Sequence, residues 1–296
     1  MTPASPFGRV VTAMVSPMRP DGSLDLDAAQ RVARHLVDHG HDGIVVNGTT
    51  GESATTTDEE KGDLVRAVVE AVGDRARVTA GAGTNDTAHS VELARAAAAA
   101  GAHALLVVAP YYTKPPQEGV RAHCSAIADA TELPVMLYDI PGRSGIPITT
   151  ESLIELARHP RIAAVKDAKG DLWAATKVMA ETGLLWFSGD DVLSLAHLAQ
   201  GAVGVVSVVG HVAGNQYAEM IASVDKGDLP RAQELHRQLV PAVDAIMNIT
   251  QGAIMSKAAL KEIGVLDSAA VRLPLVEATP DQTAAVRRGL TASGLM

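Results

Sequence analysis

Lys166 is the residue whose setting most invites chemistry. It follows directly on the apolar run Ile162-Ala163-Ala164-Val165. An ammonium adjoining such a run is partly desolvated, which disfavours the charged form and frees the amine as a nucleophile toward carbonyls. Lys169, three residues on and beside Gly170, reads as a solvated loop residue. The competing reading of Lys166 is a lysine that snorkels from a strand end or pairs with Asp167. On this residue alone the two readings stand level.

Neighbouring segments add partners. Val135-Met136-Leu137 leads into Tyr138 and, five residues later, Arg143. A tyrosine at one strand end beside a lysine at the next places an acid/base next to a carbonyl-trapping amine. Arg143 offers a two-pronged donor suited to a carboxylate. The plainer alternative is a packed tyrosine and an arginine in a surface turn. Gly48-Thr49-Thr50-Gly51-Glu52-Ser53 combines glycines, which let backbone amides approach an anion, with two hydroxyl donors. A tight turn with a helix cap would explain the glycines and Ser53 but not the two threonines. Tyr111-Tyr112 holds half of the chain's four tyrosines, which points to an interface or a site.

Other candidates are weaker. Cys124 is the only cysteine and lies in a helix-like run, so it reads as a buried thiol rather than a nucleophile. His35, His39 and His41 have a spacing compatible with a metal, yet they close the first helix on the face opposite the chemistry. Asp190-Asp191 resembles a carboxylate pair, but adjacent side chains point apart, and Asp191 reads as the cap of a helix starting near Val192.

These residues need a frame. Short apolar runs recur at Val10–Val15, Gly43–Asn47, Val78–Ala82, Ala104–Ala109, Val135–Asp139, Ile162–Lys166, Leu184–Ser188 and Val203–Val208. Amphipathic patterns such as Leu26–His39 and Asp58–Val72 lie between them, the second with a helix start at Asp58. Nearly all-apolar strands imply a parallel sheet covered on both faces. Eight evenly spaced units favour closure into a (β/α)8 TIM barrel over an open sheet, and no G-x-G-x-x-G opens the first helix. The expected α/β barrel occupies residues 1–224, and 225–296 form a C-terminal helical region. Helices are expected near Gln216–Val224, Leu229–Asn248, Ala253–Ile263 and Pro280–Gly294. With 47% hydrophobic but only 3% aromatic residues, the core must be built from Ala, Val, Leu and Ile. A formal net charge of −9 makes nucleic acid and anionic membranes poor partners. The lone cysteine fits a reducing cytoplasm, and Met1–Phe7 lacks the basic start and apolar run of a signal peptide.

Gly48–Ser53, Pro110-Tyr111-Tyr112, Tyr138–Arg143, Val165-Lys166-Asp167 and Ser188-Gly189-Asp190-Asp191 together resemble the motifs of the dihydrodipicolinate synthase family, in order and spacing. The resemblance extends to Arg272-Leu273-Pro274 near the end of the chain. It implies that Lys166 forms an imine with pyruvate and that Thr49 and Thr50 hold the pyruvate carboxylate. It further implies a proton relay of Thr50, Tyr138 and Tyr112, with Tyr112 reaching in from a neighbouring subunit. Arg143 would bind the carboxylate of aspartate semialdehyde, and Gly189 and Val206 would supply pocket backbone near Lys166. The family uses no metal or organic cofactor and is usually a dimer of dimers. Asp139 stands where many members have Asn.

Two alternatives remain at this point. N-acetylneuraminate lyase and sugar-acid aldolases or dehydratases share the lysine and tyrosine, but Arg143 and Tyr112 suit a short carboxylated aldehyde better than a sugar acid. An inactive barrel kept as a scaffold would have no reason to retain the full lysine, tyrosine and threonine set. Members inhibited by lysine bind it near the positions of Ser53, Ala54, Asp58, Lys61, Asn85, His89 and Tyr111. Here His89 replaces a glutamate, Lys61 adds a like charge, and Asp58 is expected to be occupied as a helix cap, so lysine should bind weakly.

Overall fold

Each strand of the computed structural model, which describes residues 5–296, is only four to six residues long and is buried along most of its length. Met1–Ala4, the start of the segment read above for a leader, lie outside the described residues. The strands are β1 (Val10–Ala13), β2 (Gly43–Val46), β3 (Arg77–Gly81), β4 (Ala104–Val108), β5 (Val135–Asp139), β6 (Ile162–Asp167), β7 (Leu185–Ser188) and β8 (Gly204–Ser207). They pair in parallel in chain order, and β8 closes onto β1 through the register Val11↔Val206. All eight apolar runs are strands, displaced at their ends by no more than two residues. The closed (β/α)8 barrel is the expected fold.

Alternation along each strand sorts side chains between two cores. Inside the barrel sit Val11, Ala13, Val45, Ala104, Leu106, Met136, Ala164, Phe187 and Val206. Phe7, from the segment before β1, meets Phe187 edge-on, with centroids 6.1 Å apart and planes at 80°. Outside, Ile44, Val46, Val78, Leu105, Leu137, Val165 and Trp186 face the helical shell. Small aliphatic side chains fill both layers, as the scarcity of aromatics requires.

The shell helices start where side chains satisfy their free amides. In α1 (Leu26–Asp38), Asp25 accepts from the Ala28 amide and the helix buries Ala28, Ala29, Val32, Ala33 and Leu36. Helix α2 (Asp58–Val72) is capped by Thr57 in a capping box with Glu60. Asp58 is therefore the first helical residue and not the cap, contrary to expectation. The shell continues with α3 (Thr87–Ala99), α4 (Gln117–Asp129), α5 (Pro141–Ser144), α6 (Thr150–Leu156), α7 (Leu172–Glu181) and α8 (Ser194–Ala199).

Beyond β8 come α9 (Gly210–Asp225), α10 (Leu229–Met247), α11 (Gly252–Glu262) and α12 (Pro280–Ala292). Helix α9 begins six residues earlier than its apolar pattern indicated. The added turns hold Gly210 and Gly214, where a Cβ would collide with the Thr12 hydroxyl and the His41 ring, so the glycines are there for close packing. Tyr217, Met220, Leu235, Leu239, Met255 and Leu290 weld these helices into a separate apolar cluster. Among the described residues no helix is long and apolar enough to cross a membrane.

Candidate active site

Lys166 points into the barrel near its C-terminal end. Register places it between Tyr138 of β5 and Phe187 of β7, and only 4% of its surface is exposed. Its Nζ lies 4.1 Å from the centre of the Tyr138 ring. Burial pushes the amine down to about 8; nearby Asp191 opposes the fall and Arg143 adds to it. The next residue faces the other way. Asp167 Oδ1 accepts from the amides of Lys169 (2.7 Å) and Gly170 (3.2 Å), and its Oδ2 is 3.9 Å from His197 Nε2. The reading of Lys166 as the ion-pair partner of Asp167 thus fails on strand alternation.

Lys169 also differs from expectation. It is not freely solvated: its Nζ stands 3.2 Å from Asp139 Oδ2, a buried carboxylate. Burial raises Asp139 to about 6, with Lys169 pulling it back. An asparagine there would leave Lys169 without this counter-charge.

The mouth opens into a cavity of about 920 Å³, lined by Thr49, Tyr138, Arg143, Tyr111 and Tyr112 among others. Burial lifts the Tyr138 hydroxyl to about 12, offset in part by Arg143 and by a hydrogen bond with Thr49. It is Thr49 that lines the cavity and reaches Tyr138; Thr50 is buried, 7% exposed, and does not line the cavity. The relay expected to begin at Thr50 is therefore better served by Thr49. Successive residues of a turn face different ways, and the motif alone did not say which way. Arg143 stands on the single turn α5, which Pro141 opens and Gly145 ends at φ 85°.

Tyr112 sits at the rim, 87% exposed, with φ 73° and its amide donating to the Ser144 carbonyl at 3.2 Å. A non-glycine residue in the left-handed region is strained, and here a bulky aromatic is held outward by the chain. Gly189 is required by proximity, since a Cβ would come within 2.8 Å of Lys166 Cγ, and its amide donates to the Asp167 carbonyl at 2.7 Å. Val206 is fully buried in the barrel interior, in the same apolar cluster as Tyr138 and Phe187.

The two adjacent aspartates exchange the roles read from the sequence. Asp190 caps the short 3-10 turn Asp191–Leu193, accepting from the Val192 amide. Asp191 is instead buried, and its carboxylate accepts from the Ser207 hydroxyl, from the Tyr217 hydroxyl at 2.6 Å and from the amides of Val208 (2.9 Å) and Val209 (3.3 Å). It is the negative charge that acts on Lys166. Its partners lie 16 to 26 residues downstream, so no local motif marked it.

The histidine trio is engaged by protein atoms. His41 Nε2 pairs with the Thr12 hydroxyl at 2.7 Å and Nδ1 with the Leu36 carbonyl at 2.8 Å. His35 Nε2 donates to the His211 carbonyl and His39 Nδ1 to the His35 carbonyl. Cys124 is buried and its thiol pushed up to about 12, which makes it unreactive. Beside the cavity, Asp58 Oδ2 accepts from His89 Nε2 at 2.8 Å, Lys61 Nζ lies 3.7 Å from Oδ1, and Lys61 also donates to the Thr56 carbonyl at 2.5 Å. Asp58 is occupied, as expected, but by His89 and Lys61 and not by capping.

A closed parallel α/β barrel with a desolvated lysine at the end of its sixth strand defines a class in which an amine attacks carbonyl compounds. Within it, the chain belongs to the dihydrodipicolinate synthetase family, whose model matches residues 6–293. It is 60% identical over 293 residues to 4-hydroxy-tetrahydrodipicolinate synthase of Kineococcus radiotolerans, covering 99% of this chain and 95% of that one. The dihydrodipicolinate synthase of Cyanidioschyzon merolae, solved with lysine bound, superposes with a TM-score of 0.96 at 41% identity, covering 99% of this chain and 100% of that one. The chloride-inhibited dihydrodipicolinate synthase of Acinetobacter baumannii, solved with pyruvate, gives 0.93 at 32% identity, covering 98% and 100%.

Proposed function

We propose that the protein condenses pyruvate with L-aspartate 4-semialdehyde to give 4-hydroxy-tetrahydrodipicolinate, as its relatives' names state of them. The observation that carries this reading is the buried Lys166 amine stacked on Tyr138, which with Arg143 lines the cavity. The neutral amine attacks the pyruvate ketone and water leaves, giving a protonated imine. Thr49 and Thr50, with the amides of their turn, hold the carboxylate. The imine draws electrons from the methyl carbon, which loses a proton toward Tyr138 and becomes an enamine. That carbon attacks the semialdehyde's aldehyde, whose oxygen takes a proton delivered through Thr49, Tyr138 and Tyr112. Arg143 grips the semialdehyde carboxylate. The semialdehyde's amino group then adds to the imine carbon, and Lys166 departs as the free amine.

In this proposal Tyr112 serves the site of a second copy, which accounts for an aromatic held outward at the rim in strained geometry. A homo-oligomer of at least two copies follows from it, and the likeness to the family favours a dimer of dimers. The test is an assay with pyruvate and aspartate semialdehyde run beside N-acetylneuraminate cleavage. Product from the first pair alone is expected; cleavage of N-acetylneuraminate alone would overturn the assignment.

A further inference from the structure

A fully buried ion pair lies outside the reacting groups. Glu52 and Lys257 stand 205 residues apart in sequence, and their side chains are 1% and 0% exposed. Lys257 Nζ donates to Glu52 Oε1 at 2.5 Å and to the Ala270 carbonyl at 2.7 Å. The other oxygen, Oε2, accepts from the Arg272 amide at 2.9 Å. Glu52 itself has φ 54°, a conformation that a non-glycine residue keeps only when its surroundings impose it. It terminates the turn that carries Thr49 and Thr50, and its amide donates to the Thr49 carbonyl at 3.1 Å.

A pair this buried adds little net stability, because desolvating two charges offsets their attraction, so its effect is mainly geometric. The barrel side of the turn is held by Ser16, whose hydroxyl donates to the Gly51 carbonyl at 2.6 Å. On the opposite side Glu52 ties the turn to α11 and to the strap that follows it, while the Arg272 guanidinium holds the next residues through the Thr55 carbonyl. We propose that Glu52 and Lys257 are positioning residues through which the C-terminal helices fix the turn that receives the keto-acid carboxylate. The inference rests on the proposed function, since it takes Thr49 and Thr50 as the seat of pyruvate. It assigns a pyruvate-specific role to a helix that contributes no group to the reaction. The semialdehyde, held from α5 by Arg143, should be indifferent to it.

The experiment measures the pyruvate concentration that half-saturates borohydride trapping on Lys166, together with both KM values. Lys257→Met leaves a buried carboxylate without its cation and should raise the half-saturating pyruvate at least tenfold. The KM for semialdehyde should stay within about twofold. Lys257→Arg, which keeps the pair, should stay near wild type. If Lys257→Met does not fold, Glu52→Gln keeps the shape of the turn and should shift pyruvate in the same direction. Partial unfolding alone would lower kcat and leave both half-saturations unchanged, and that outcome, or equal shifts for both substrates, overturns the inference. A wild-type protein that forms no Lys166 adduct would overturn the proposed function itself.

Discussion

The burial of Lys166 makes a quantitative prediction about when it reacts. Lowering its ammonium from 10.5 to about 8 corresponds to roughly 3 kcal/mol in favour of the neutral amine. At pH 7 that leaves about one amine in ten free, against about one in three thousand for an ordinary lysine. At subsaturating pyruvate, the second-order rate of reductive trapping should follow this free fraction. It should rise through pH 7 and level off above a midpoint near 8, with peptide mapping placing the adduct on Lys166. Asp191 opposes the depression, so Asp191→Asn should move the midpoint to lower pH. A rate that keeps climbing with unit slope through pH 10 would refute the reasoning. So would an adduct on Lys169, or a midpoint that moves upward when Asp191 is neutralised.

Arg143→Ala should raise the requirement for semialdehyde by about 1.5 to 3 kcal/mol, the worth of a charge-assisted contact, and leave pyruvate trapping intact; unchanged semialdehyde kinetics would remove Arg143 from that role. Tyr112→Phe should lower turnover, and mixing it with Lys166→Ala should restore part of the activity through hybrid sites; verified mixed dimers without recovery would place Tyr112 in its own chain's site. Because Asp58 is taken by His89 and Lys61, lysine should bind at least about a hundredfold more weakly than where a glutamate occupies the His89 position; inhibition by submillimolar lysine in a direct assay would contradict this. His41 and His211, pushed by burial to about 4 and about 3, stay neutral in the folded protein while the unfolded chain protonates near 6.5. Their contribution is full above pH 6.5 and is lost as the pH falls toward 4. Asp139, raised to about 6, runs the other way over part of that window. The net loss between pH 7 and 4.5 should be about 3 kcal/mol, and an unfolding free energy that is flat over that range would disprove it.

Strand periodicity made the barrel legible because a doubly covered strand has few polar residues to blur its run. Lys166 and Tyr138 were legible for the same reason, as the first polar groups after such runs, and Arg143 as the one cation in the turn that follows Tyr138. What escaped was set by contacts across long sequence separations. Lys257 sits in a helix whose pattern reads as ordinary, and only the fold brings it to Glu52. Asp191 looks like a cap until β8 and α9 surround it with donors. Lys169 looked solvated because its partner, Asp139, is on the adjacent strand. The choice between Thr49 and Thr50 depended on the rotation of one turn, which two identical neighbours cannot reveal.

Phe187, beside Lys166 in the register, and Phe7, edge-on below it, have a consequence for the order of events. Both side chains are fully buried in the barrel interior, so the space below the lysine is filled. In the proposed reaction pyruvate would then have to reach the lysine first, and the water released on imine formation would leave past the rim before the semialdehyde came down. A semialdehyde that arrived early would stand between the mouth and an unreacted amine. A filled base would thus turn the proposed two-substrate encounter into a queue, in which crowding by the second substrate slows the first.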